Sequence, residues 1–347
     1  MLPFASTDAP IVMRFGALGD MVMLVPMLNW LAATTGAPVD IIGSGGWTKP
    51  LLSGVDSVNQ LHLLSSRKTP YLFNRSQQEL VQWLKTQHPR PVIICETEPK
   101  SRWLVERAGY GPDEMFWAGD LPIQAGEHWV QRWLRLACLC YGQRWEPGIA
   151  HTYTHQGWLP ASGAAREDFQ QWVQARGWQQ AELLLIQPGN KRTMRRGRAE
   201  RQSNPKFWPD DYWVAVAQWL CTQHPQAQVL FCGSPEEAEY IDRLSAACNH
   251  PRVHNLARDL PIPRLLALLE KAQGLISVDT GPAHAAAAAG CPTVVLFADK
   301  DPALWQPYTG PAAVIPLQAS SQSMADISVA EVQQAWQQLS LSTAGHG

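Results

Sequence analysis

Short apolar runs recur along the chain, each followed by glycine or polar breakers and then by a stretch whose apolar residues have helical spacing. In the first half they lie at 11–15, 39–42 and 91–95. In the second half they lie at 183–186, 228–231, 252–256, 275–278 and 293–297, with helical patterns near 209–222, 235–248, 262–272 and 282–289. Runs that are apolar without alternation belong to strands covered on both faces, so the pattern predicts parallel sheets flanked by helices. The rhythm lapses between about 110 and 180, where Trp117, Trp129, Trp133, Trp145, Trp158, Trp172 and Trp178 gather. The junction of two domains is placed there. The expected division is 1–165 and 166–325, followed by a terminal helix, 326–347, that packs back on the first domain.

Composition narrows the field. A chain of 347 residues with 46% hydrophobic content can fill two ordinary cores. Lys+Arg 28 against Asp+Glu 30 is not the basic balance of a nucleic-acid binder, so none is expected as a partner. The uncharged stretch 280–298 carries Pro282, Gly290 and Pro292 among alanines, which does not read as a membrane-spanning helix. The first ten residues carry Asp8 and no Lys or Arg, unlike a secretory leader, so a cytoplasmic protein is expected. Seven scattered cysteines without a C-x-x-C pair suggest buried, reduced thiols and no metal site.

Three segments could carry chemistry. In the first, the strand at 275–278 ends in Asp279-Thr-Gly281, and Pro282 then opens an alanine-rich helix that Gly290 and Pro292 stop. Unpaired amides and the positive dipole end at that turn make a phosphate-sized anion site; alternatively, Asp279 and Thr280 only cap the helix. His284, in the first turn, reads equally as a packing residue. In the second, Arg14-Phe-Gly-Ala-Leu-Gly-Asp20 follows the first strand, with Gly16 and Gly19 allowing a tight turn. Asp20 there can serve as a general base or as a helix cap. The spacing is not G-x-G-x-x-G, which removes support for a dinucleotide-dependent dehydrogenase. The third is the loop 187–209, where Lys191, Arg192, Arg195, Arg196, Arg198, Arg201 and Lys206 face one acid, Glu200. It suits a diphosphate or an anionic acceptor, and it could equally be a solvated charge run.

Taken in order, Gly16-Ala-Leu-Gly-Asp20, Pro26-Met-Leu28, Gln187-Pro-Gly189, Lys206-Phe-Trp-Pro209, Asp279-Thr-Gly-Pro-Ala-His284, Gly290-Cys-Pro-Thr293 and Asp301-Pro302 resemble glycosyltransferase family 9, the heptosyltransferases. The resemblance implies a GT-B architecture, two Rossmann-like domains whose parallel sheets face a central cleft, with acceptor on the first domain and nucleotide sugar on the second. It implies inverting, metal-independent transfer of a sugar, typically heptose from ADP-heptose, to a lipopolysaccharide-core or related glycolipid acceptor, without a cofactor. Asp20 matches the general base and Lys206 the lysine on the donor diphosphate. Gly19, Asp279, Thr280, Gly281, Pro282 and His284 fall among donor-binding positions. Arg192, Arg195 and Arg196 are candidate acceptor or phosphate contacts, and peripheral contact with the inner membrane surface would follow. Two departures stand beside the donor pocket: the basic stretch 191–201 looks inserted, and Ala298-Asp-Lys300 replaces a Gly-Pro-Thr-like run. The alternatives are another sugar nucleotide or acceptor on the same fold, or a binding protein without turnover.

Overall fold

The computed structural model describes residues 8–155, 157–190, 194–195, 198–199, 204–308, 310 and 312–344. The chain divides between Trp158 and Leu159 into two units.

In the first unit, β1 (Ile11–Met13), β2 (Val39–Ser44), β3 (Val58–Leu64), β4 (Val92–Ile94) and β5 (Met115–Trp117) form one parallel sheet in the order β3-β2-β1-β4-β5. All residues of β1 and β4 are fully buried, as the unbroken apolar runs predict. β3 and β5 carry no such run. β3 lies at an edge with Asn59, Gln60 and Leu63 in solvent, and β5 is only three residues long inside the tryptophan-rich stretch. The apolar stretch Leu18–Thr35 has the length and composition of a membrane span. It is interrupted after Val22, and its second part, Val25–Thr35, buries Val25, Met27, Leu28, Trp30 and Leu31 in the protein.

In the second unit, β6 (Leu183–Gln187), β9 (Gln228–Phe231), β10 (Val253–Asn255), β11 (Gly274–Val278), β12 (Thr293–Phe297) and β13 (Val314–Gln318) form a parallel sheet ordered β10-β9-β6-β11-β12-β13. A separate antiparallel pair, β7 (Met194–Arg195) and β8 (Arg198–Ala199), follows β6 in the chain. Both large sheets are doubly wound, the Rossmann-like arrangement that the resemblance implies. In each, the order reverses beside the first strand, between β1 and β4 and between β6 and β11, and ligands of such sheets bind beyond the strands' carboxyl ends at that point.

The division falls earlier than residue 165. Ala161 and Arg166 both bond Glu270, so the helix Gly163–Ala175 is built into the second unit. The terminal helix, Val329–Ala344, expected against the first domain, also belongs to the second unit's core. Its Val332, Ala335, Trp336 and Leu339 are buried with Ile276, Val294 and Leu220. Gly274 makes room for it: a Cβ there would lie 2.8 Å from the Trp336 ring.

Candidate functional site

The first unit's switch point is built on Arg14. Met13 pairs with Ile42 and Ile94, which brings the ends of β1, β2 and β4 side by side. Arg14 Nη1 donates to the Cys95 carbonyl (2.7 Å) and to Glu96 Oε1 (3.3 Å), while Nη2 donates to Asp20 Oδ1 (2.8 Å). Its guanidinium also lies 5.1 Å from the Trp133 ring centroid. Glu96 Oε1 accepts from the Phe15 N–H at 2.7 Å, and Arg67 approaches Oε2 at 3.9 Å. Two carboxylates, Asp20 after β1 and Glu96 after β4, therefore converge on one half-buried arginine.

Asp20 is the third residue of the helix Leu18–Val22, and its Oδ2 accepts from the Ala17 N–H at 2.7 Å. Asp20 is therefore not the N-cap, a position held by Ala17, but it caps the helix from its first turn. That role does not exclude the general-base reading, because each carboxylate oxygen has further lone pairs and the side chain is 25% exposed. Gly16 is required by close approach: a Cβ there would sit 2.2 Å from the Asp20 Cβ. Gly19 is buried in the same turn.

The second unit's switch point joins two segments far apart in sequence. Lys206 Nζ donates to Asp279 Oδ2 and to the Asp279 carbonyl, both at 2.5 Å. Lys206 is held by its neighbours: Asn204, itself buried, accepts from its backbone N–H at 3.2 Å, and the fully buried Trp208 bonds the Ile327 carbonyl at 2.8 Å. Burial pushes the Lys206 ammonium below the usual lysine range, with the Asp279 charge opposing that shift. His284 Nε2 lies 3.9 Å from Asp279 Oδ1, and Lys300 Nζ lies 3.9 Å from Oδ2. Lys300 is positioned by the Trp305 ring, whose centroid is 3.9 Å from its Nζ.

The helix Gly281–Ala289 starts beside this cluster. Thr280 occupies its N-cap position but makes no capping hydrogen bond through its side chain; its hydroxyl meets Ser277 Oγ at 3.1 Å. Pro282 fits the first turn, where a missing N–H costs nothing. Ala283 and Ala285 to Ala288 are buried, which brings the helix close to the sheet. Asp279 thus gathers two lysines beside the first turn of the helix, where the backbone amides have no partner within the helix.

Arg192 and Arg196 lie outside the described residues, and Arg195 is described only as backbone in β7. Among the described residues, no group of three His, Cys, Asp or Glu is placed to hold a metal ion. The sequence reading missed Arg14, Glu96 and Lys300 as site residues. Each follows a buried strand directly or within a few positions, and that placement was the signal available.

The family model described as Glycosyltransferase family 9 (heptosyltransferase) matches residues 107–331. The lipopolysaccharide heptosyltransferase 3 of Escherichia coli (strain K12) is 33% identical over 105 residues, 30% of this chain and 30% of that protein. The aligned stretch is thus under a third of the relative's length. In structure, the glycosyl transferase family 9 protein of Veillonella parvula superposes with a TM-score of 0.78 at 15% identity, over 97% of this chain and 100% of that one. The E. coli heptosyltransferase WaaC with ADP-2-deoxy-2-fluoro heptose gives 0.70 at 17% identity, over 94% and 98%. At such identities the likeness is one of fold, and the fold is that of GT-B heptosyltransferases. With a family match that covers well over half its length, the chain belongs to glycosyltransferase family 9.

Proposed function

We propose that this protein is an inverting transferase that moves a heptose-like sugar from a nucleoside-diphosphate sugar, ADP-heptose first among candidates, to a lipopolysaccharide-core or related glycolipid acceptor. The observation that carries the reading is the Lys206–Asp279 pair beside the first turn of the helix Gly281–Ala289, in a chain of this family. The second unit takes the donor and the first unit the acceptor. The acceptor hydroxyl attacks the anomeric carbon as the bond to the diphosphate oxygen breaks, and Asp20 receives the hydroxyl proton. The leaving diphosphate is stabilised by Lys206 and the amides that begin at Gly281, while Asp279 and His284 contact the sugar. No metal or cofactor has a role in this reading. The E. coli relative solved with ADP-2-deoxy-2-fluoro heptose supports the choice of donor. A cytoplasmic site of action with peripheral contact to the inner membrane surface belongs to the same reading, as do acceptor or phosphate contacts from Arg192, Arg195 and Arg196.

A screen of ADP-, GDP- and UDP-sugars by thermal shift tests it. A ligand at 100 times its dissociation constant adds about 2.7 kcal/mol of stability. Stabilisation by ADP-heptose with release of ADP in the presence of acceptor is expected; no response to any nucleoside diphosphate would overturn the reading. Lys300, standing where a Gly-Pro-Thr-like run is usual, favours a second reading in which the same site takes a different sugar nucleotide, and the screen separates the two.

A further inference from the structure

The loop that leads from β3 to the helix Arg75–Gln87 presents two adjacent large apolar side chains to solvent: Leu72 is 75% and Phe73 82% exposed. Single exposed apolar residues are ordinary, whereas an adjacent pair at a loop tip calls for a reason. The tip is held firmly. Asn74 and Gln77 are buried; Asn74 Nδ2 donates to the Ser66 carbonyl (2.7 Å), and Gln77 Nε2 to those of Ser66 (3.0 Å) and Thr69 (3.2 Å). Gln78 Nε2 donates to the carbonyls of Tyr71 (3.0 Å) and Leu72 (3.1 Å).

Tyr71 turns back onto the protein, edge-on to the half-exposed Trp103 at 5.7 Å, with the Arg107 guanidinium 4.2 Å from its centroid and 4.6 Å from that of Trp103. Residues 65–75 contain Arg67, Lys68 and Arg75, all exposed, and no acid. Arg75 pairs with Glu79 at 2.7 Å and Arg67 approaches Glu96 at 3.9 Å.

Apolar side chains that protrude from a rigid turn inside a positive collar match one kind of surface, the headgroup boundary of an anionic bilayer. Leu, Phe and Trp settle there while Lys and Arg meet phosphates. A protein partner is a poorer match, because a tip of two side chains is far smaller than a stable protein interface. We infer that the tip bearing Leu72 and Phe73, collared by Arg67, Lys68 and Arg75, docks this protein on anionic phospholipid membranes. The inference extends the membrane contact of the proposed function to a specific surface and rests on that surface alone.

Flotation of the whole chain with phosphatidylcholine vesicles, with and without phosphatidylglycerol, tests it in the absence of donor and acceptor, so the outcome is independent of the proposed activity. Binding is expected only with phosphatidylglycerol. Leu72→Ser/Phe73→Ser should weaken it by about tenfold or more, and Arg67→Gln/Lys68→Gln should flatten its salt dependence. All seven native cysteines are buried, so Phe73→Cys can take an environment-sensitive dye selectively, and its emission should shift to the blue on these vesicles. The inference is overturned if the wild type does not float, if the serine variant floats as well as the wild type, or if the dye does not respond. It is also overturned if the serine variant lowers the chain's mass in sedimentation, which would assign the tip to self-association.

Discussion

Lys206 and Asp279 lie 73 residues apart in sequence, yet the lysine ammonium bonds both the carboxylate and the main-chain carbonyl of the aspartate. The pair joins the segments that follow β6 and β11, the two strands that flank the reversal in strand order. Asp279 also faces Lys300 and His284, each at 3.9 Å, so the buried carboxylate has positive or polar neighbours besides Lys206.

Lys206→Ala should weaken ADP binding by about 1.5–3 kcal/mol, the scale of a charge-assisted contact, while Arg198→Ala in the basic loop should lose far less. The same variant removes the nearest cationic partner of a buried carboxylate. Its loss of stability in urea should therefore be partly recovered in Lys206→Ala/Asp279→Asn, the signature of coupled neighbours. Strictly additive losses, or an ADP affinity equal to that of the wild type by calorimetry, would contradict the assignment.

Asp20→Asn keeps the shape of the side chain and an oxygen for the Ala17 amide but removes the carboxylate charge that the proposed base needs. Turnover is expected to fall by about 10²–10⁴-fold with ADP affinity nearly intact. A variant that retains more than half the wild-type rate would leave Asp20 only its helix-capping role.

Gly16→Ala forces a methyl group to within 2.2 Å of the Asp20 Cβ, so either the loop or the carboxylate must move. The expected cost is about 1–3 kcal/mol of stability together with a lower kcat, with ADP affinity unaffected. Unchanged kcat and melting temperature would show that the close approach has no consequence.

His254 is held below its ordinary value of 6.5 by burial and, secondarily, by the Arg176 charge; burial likewise lowers His62, stacked on Trp83 at 3.8 Å. The unfolded chain binds these protons more readily than the folded one. Their stabilising effect is therefore complete above about pH 6.5 and is lost as pH falls toward the folded values. His254→Gln should lose less stability than the wild type between pH 7.5 and 5.5 in urea titrations; identical losses would remove His254 as a contributor.

Trp336→Ala in the terminal helix should cost about 3–5 kcal/mol, since the ring is 3% exposed in the second unit's core and fills the space above Gly274. Denaturation followed by hydrogen exchange should show the loss across β11 and β12. A variant as stable as the wild type would mean that the helix is an appendage.

The most legible features were those whose physics is local. β1, β4, β6, β11 and β12 are covered on both faces, so every position in them is buried and nearly all are apolar, and the runs stand out in one dimension. The turn at Gly16 and the helix start at Pro282 are equally readable, because close approach and a proline-compatible first turn each demand a particular residue at one position. The family could be identified from such positions in order. The edge strands β3 and β5 could not, since β3 shows solvent three of its seven residues and β5 has too few to form a pattern. Nor could the distant partners of Arg14 and Asp279. Arg14 meets Glu96 because β1 lies beside β4, and Lys206 meets Asp279 because β6 lies beside β11. Strand neighbours are chosen by burial of whole faces across the sheet rather than by any local signal. For the same reason the terminal helix went to the second unit: its apolar face is visible in sequence, but the surface it covers exists only after the sheet has formed.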